Sequence, residues 1–228
     1  MRFHPRCFSL VFTFLLVLST ADHRPAYAGG KIGIYGIYMI PYGTDAKDYS
    51  HPGWGAGIHV VLPVPQFFDL FAGVAGVEYV NLLSSRVSTI DPVTSLRVDQ
   101  ETSQSFTRIY VGGQVGGHGN GFLRPHAGVN IALENYSYSI DVVVPDDFNR
   151  ENEIRQSLHD EARWVFGYDL TFGLDLKFSN SIALDGGVRY VKSFSVPEQL
   201  GAGSVRVYPQ YFQIYLGIGA SFDMLAGR

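Results

Sequence analysis

Cysteine is nearly absent from this sequence, charge is sparse, and no apolar run is long enough for a membrane helix. The one cysteine, Cys7, stands near the start, so the rest of the chain has no disulfide, thiolate catalyst or cysteine metal site. Charged residues are 17% of the chain and form no Lys/Arg run. A nucleic-acid binder needs a basic stripe to neutralise phosphates, so nucleic acid is excluded as a partner. His51, His59, His118, His126 and His159 are scattered without metal-ligand spacing, and neither a metal nor another cofactor is expected. The glycines of 112–117 lack the lysine of a phosphate loop, and no G-x-S-x-G grouping occurs, so no catalytic residue is assigned.

The apolar run at 7–18 falls short of the roughly 20 residues that cross a bilayer as a helix, and later runs are interrupted by Gly, Pro or charge. With Arg2 and Arg6 before it and Ala26-Tyr27-Ala28 after it, it reads as a cleavable export signal spanning 1–28. Removing 1–28 takes away Arg2, Arg6, Arg24 and Asp22, leaving 14 basic and 20 acidic residues, net −6. The mature domain is then 29–228. If it enters a membrane, it must do so as a β-barrel, because only helices and closed barrels satisfy their backbone groups in lipid.

What the chain does have is period-two alternation, 26 glycines and 14% aromatics, the texture of an all-β protein. Eight segments carry it: 31–40, 53–62, 67–80, 106–116, 123–138, 163–178, 181–192 and 210–222. The sixth is the clearest, setting Trp164, Phe166, Tyr168, Leu170, Phe172, Leu174, Leu176 and Phe178 against Asp169, Thr171, Asp175 and Lys177. The third is ambiguous; Glu78 is placed inside, which puts Asp69 near an interface. Connections alternate in length: 41–52, 81–105, 139–162 and 193–209 are long, while 63–66, 117–122 and 179–180 are short. Alternating short turns and long loops suit an eight-stranded antiparallel up-and-down transmembrane β-barrel. Tyr38, Tyr42, Trp54, Tyr79, Trp164, Tyr190, Tyr208 and Phe222 fit interfacial girdles. The charged loop 146–163 is expected to include a short helix.

The segments 31–41 (KIGIYGIYMIP), 124–130 (RPHAGVN), 185–190 (DGGVRY) and 215–222 (YLGIGASF) resemble the small eight-stranded outer-membrane barrel family, the OmpA-like, OmpW-like and Ail-like proteins. The resemblance implies a bacterial outer-membrane location, with the lipid bilayer and the outer-membrane assembly machinery as partners. It also implies that the last strand, ending in Phe222, presents the assembly signal, although 223–228 trail beyond it.

If the apolar face meets lipid, then His59, Glu78, Arg108, Gln114, Arg124, His126, Asn130, Glu134, Asp169, Asp175, Lys177, Asp185 and Arg189 point inward. An eight-stranded barrel is just wide enough for side chains to fill, so these residues are expected to pack and pair as a core. Asp185 with Arg189 and Glu134 with Arg108 are the candidate pairs. The expected function is structural or surface interaction, such as adhesion, through the extracellular loops, by a non-enzymatic monomer meeting an extracellular ligand. The alternatives are a porin-like narrow channel for small hydrophobic or ionic solutes, and a lipid-modifying membrane enzyme. A soluble lipocalin-like barrel would need the two faces inverted.

Overall fold

A computed structural model describes residues 30–64, 70–90, 97–117, 121–144, 154–179, 181–200 and 203–222. The proposed export signal and Asp69 lie outside them. The elements run β1 (Lys31–Tyr42), α1 (Gly43–Tyr49), β2 (Gly53–Pro63), β3 (Phe71–Ile90), β4 (Arg97–Gly116), β5 (Leu123–Val144), β6 (Ile154–Lys177), β7 (Ile182–Ser193), β8 (Val196–Leu200), β9 (Gly203–Val207) and β10 (Gln210–Ser221).

Eight of these strands close into one antiparallel barrel in the order β1-β10-β7-β6-β5-β4-β3-β2, sealed by the β1–β2 ladder. Closure pairs the backbone groups that an open sheet would leave at its edges. The β2–β3, β4–β5 and β6–β7 connections gather at the end where β1 starts and β10 stops, here called the lower end. At the lower β4–β5 turn, Gly116 and Gly117 hold φ near +80° and +76°, a conformation that costs glycine least. Their amides donate to the carbonyls of Leu70 and Pro125 at 2.9 Å each.

The strands are unequal. β1, β2, β7 and β10 have 11 or 12 residues, whereas β3, β4, β5 and β6 have 20, 20, 22 and 24. The long four rise past their shorter neighbours: β2 stops at Trp54 opposite Asn81, and β7 at Ser193 opposite Gly167. Much of 81–105 and 139–162, expected as loop, is therefore extended sheet. A register shift at Asn81/Leu83 marks the departure of β3 and β4 from the barrel, as bulges commonly do where a sheet leaves a rim, and a second at Ile140/Asp141 lies within the projecting part. The helix expected within 146–163 does not form over its described part, since 154–163 pairs with β5 as strand. Val87, Thr89, Val98, Val142 and Val143 supply the β-branched surface that an extended sheet uses. The third strand begins at Phe71, not 67, with 65–69 outside the described residues.

Faces alternate as the sequence pattern requires. Outward residues form an apolar surface: Trp54 is 72% exposed, Ile131 65%, Phe166 64% and Leu216 60%. The inward residues of the lower and middle barrel are mainly polar, so the core is of charge and hydroxyl, with an apolar layer above it. Among the described residues no helix is long and apolar enough to cross a membrane, which says nothing of crossing by strands.

Candidate functional site: a filled lumen and a projecting sheet

The lumen is layered. In the lowest layer Lys31 donates to Asp175 at 2.9 Å and to Asp185 at 3.2 Å, and Arg124 donates to Asp175 at 2.9 Å. His59 Nε2 lies 3.8 Å and His126 Nε2 3.7 Å from the Asp185 carboxylate. His126 also meets the Tyr215 hydroxyl at 3.0 Å. Gln114 is buried beside them.

The middle layer centres on two guanidinium groups. Arg108 binds Glu78 at 3.3 Å and Asp169, and Arg189 binds Glu78 and lies 3.6 Å from Asp169. Asn130 and Thr171 donate to Asp169 at 2.7 and 2.8 Å, while Tyr35 donates to Glu78 at 2.7 Å. The Tyr110 ring sits 4.8 Å from Arg108 and 5.1 Å from Arg189, a cation–π arrangement that helps hold cations out of water. Buried charges persist where such partners replace the lost hydration.

Above them, Ile37, Met39, Val80, Leu82, Phe106 and Tyr211 make an apolar plug, and Ala46 of α1 packs against it. Asp45 accepts the Tyr208 amide at 2.9 Å, tying α1 to the segment before β10. The lumen is thus polar at one end and sealed by aromatic and aliphatic groups at the other.

The residues read as interior from sequence are found there: His59, Glu78, Arg108, Gln114, His126, Asn130, Glu134, Asp169, Asp175, Asp185 and Arg189 are all buried. Lys177 lies on the same parity at the lower end of β6 and is half-buried, with no ion pair to another described residue. Neither candidate pair forms as such. Arg108 is flanked in the ladders by Glu78 of β3 and Glu134 of β5, but its guanidinium turns to Glu78 and on to Asp169 of β6, and Glu134 accepts from Ser193. Asp185 meets Lys31 and the imidazoles, while Arg189 meets Glu78. A long side chain reaches across a narrow barrel more readily than along its own strand. Tyr110, Gln213 and Tyr215 fall on the sequence-assigned face opposite the apolar one, though not among the interior candidates, and Lys31 and Tyr35 are the interior residues that the sequence did not single out; the parity of β1 is the signal for them. Phe222 follows the last paired residue of β10, its amide donating to the Gly30 carbonyl at 2.9 Å.

Aromatic rings pair at both rims: Tyr38 with Trp54 (4.5 Å) and Tyr42 with Phe212 (4.9 Å) above, Phe122 with Phe178 (6.3 Å) below. Over the upper rim, the projecting sheet carries a lattice of ion pairs on its outward face. Arg86 binds Asp99 and Glu101, Arg97 binds Asp99, and Arg155 binds Glu101 and Asp141. Hydrogen bonds from Ser88 and Arg86, then Arg97, hold the Asp99 carboxyl down to about 2.

No family model and no curated protein sequence matches this chain. Solved structures do. Neisserial surface protein A (NspA) superposes with a TM-score of 0.54 at 11% identity, over 84% of this chain and 96% of that one. Ail, the attachment invasion locus protein of Yersinia pestis, gives 0.44 at 11% identity over 85% and 96%. Outer membrane protein W of E. coli gives 0.36 at 15% identity over 86% and 99%. The NspA match, together with the closed barrel, shows that this chain has the fold of the small eight-stranded outer-membrane barrels.

Proposed function

We propose that this protein is a bacterial outer-membrane barrel, exported through the 1–28 signal, whose work is surface interaction through the sheet that β3 to β6 raise above the membrane. The observation that carries the reading is the contrast between the two ends. The lumen is plugged by Phe106, Tyr211 and Met39 beneath α1, while four strands continue well past the apolar belt with Val87, Ile90 and Leu158 exposed on them. A sealed barrel with an ordered, costly projection has its binding capacity outside. The likeness to NspA supports the location, and the apolar outward face supports bilayer embedding with the charged face inside.

Membrane fractionation followed by electrophoresis with and without heating tests the location; recovery in the outer-membrane fraction with a heat-dependent shift is expected. Deleting 84–102 from the β3–β4 hairpin should leave that shift intact and abolish adherence of expressing cells to host-cell or matrix surfaces. Unchanged adherence would remove the surface role. The polar lower lumen favours a second reading, a narrow solute path; robust conductance in planar bilayers would replace the sealed scaffold with a channel. Altered lipid A or phospholipid on overproduction would instead point to a lipid-modifying enzyme.

A further inference from the structure

Five buried polar atoms without a hydrogen-bond partner belong to side chains lining one small cavity in the lower lumen: His59 Nε2, Gln114 Nε2, His126 Nδ1, Asn130 Oδ1 and Asp185 Oδ1. These side chains come from β2, β4, β5 and β7, and each residue is at most 8% exposed. Orphaned polar atoms are rare in folded proteins, and several around one space point to a shared ligand. The cavity measures ≈ 20 Å³, which is room for about one water molecule.

We propose that this cavity binds one water molecule, which joins His59, His126 and Asp185 into a single hydrogen-bonded unit. The donor and acceptor inventory fits. Asp185 Oδ1 and Asn130 Oδ1 accept, Gln114 Nε2 donates, and an imidazole nitrogen does either according to its tautomer. Water donates two hydrogen bonds and accepts two, so it serves both oxygens while its two lone pairs receive an N–H from each imidazole, His59 Nε2 and His126 Nδ1, with Gln114 Nε2 as a competing donor.

The surrounding charge also selects a neutral ligand. Lys31 from β1 and Arg124 from β5 balance Asp175 from β6 and Asp185 from β7. Arg189 is turned to Glu78, and β10 contributes the neutral Tyr215 hydroxyl. Bridging by the water fixes which nitrogen of each ring carries its proton. A change at Asn130, across the lumen on β5, is therefore transmitted to His59 on β2.

The test is water-selective cross-relaxation NMR on the full-length mature protein folded in detergent micelles, with histidine rings labelled with ¹⁵N. Cross-peaks from a long-lived water to ring protons of both His59 and His126 are expected. Asn130→Val should weaken both sets and shift the His59 ring nitrogens. Absence of a water cross-peak in wild-type protein that retains its heat shift overturns the proposal. A His59 spectrum indifferent to Asn130→Val in folded protein overturns the coupling. The wild-type measurement stands alone if the variant fails to fold.

Discussion

Replacing Arg108 by Met should destabilise the barrel more than any other single polar-to-apolar change in its interior. Arg108 is 0% exposed, and it serves Glu78 and Asp169 together. Met keeps much of the volume and removes the charge. Arg189 would then face both carboxylates; it already holds Glu78 and lies 3.6 Å from Asp169. Asp169 would be left chiefly with Asn130 and Thr171, both neutral. Leaving a buried carboxylate without its cation costs about 3–5 kcal/mol, or about two to nearly four orders of magnitude in the unfolding equilibrium. Adding Asp169→Asn should recover about 1–3 kcal/mol, because the two groups interact directly. Urea titration of barrels folded into lipid vesicles, read through the rim tryptophans Trp54 and Trp164, measures both. A single variant within about 0.5 kcal/mol of wild type, or a double variant as unstable as the sum of its parts, would refute the view that the middle layer is a mutually dependent charge cluster.

Val129 faces outward on the barrel part of β5 and is 56% exposed; Val129→Arg should cost about 2–4 kcal/mol in bilayers. Val87→Arg, on an equally exposed position of the projecting sheet, should stay within about 0.5 kcal/mol, and equal costs at the two sites would contradict the assigned belt. The Asp99 carboxyl, held below its unfolded value, stabilises the β3–β4 extension fully above about pH 4 and loses that contribution as pH falls through about 2. Hydrogen exchange at the 86–101 ladder should therefore accelerate between those values, and Asp99→Asn should show the faster exchange already at neutral pH. A Cβ at Gly57 would stand 2.5 Å from the Tyr35 ring, so Gly57→Ala should cost about 1–3 kcal/mol by overpacking, measured by the same urea titration. Phe222→Ala should lower the folded, heat-shifted fraction in cells; unchanged yield would separate Phe222 from assembly.

Alternation on β6 from Trp164 to Leu176 was legible because each residue there faces either the apolar outside or the crowded lumen, and a period of two leaves no third choice. The same logic placed Glu78, Arg108, Asp169 and Arg189 inside. It weakened in 81–105 and 139–162, where both faces of the sheet meet water and polar residues occupy either side. There the strands exist because β3, β4, β5 and β6 pair with one another, a nonlocal fact that local texture does not record.

The sequence by itself determined the all-β class, the number of barrel strands and the polarity of each face, since these follow from local periodicity and from the cost of burying unpaired backbone. Only the tertiary structure decided that Arg108 reaches Glu78 and Asp169 while bypassing Glu134, that Asp185 belongs with Lys31 and two imidazoles, and that α1 covers an apolar plug. Some of those partnerships join neighbouring strands, as Glu78 and Arg108 do, and others cross the lumen, as Glu78 and Arg189 do, so strand pairing and barrel closure together bring them within hydrogen-bonding distance.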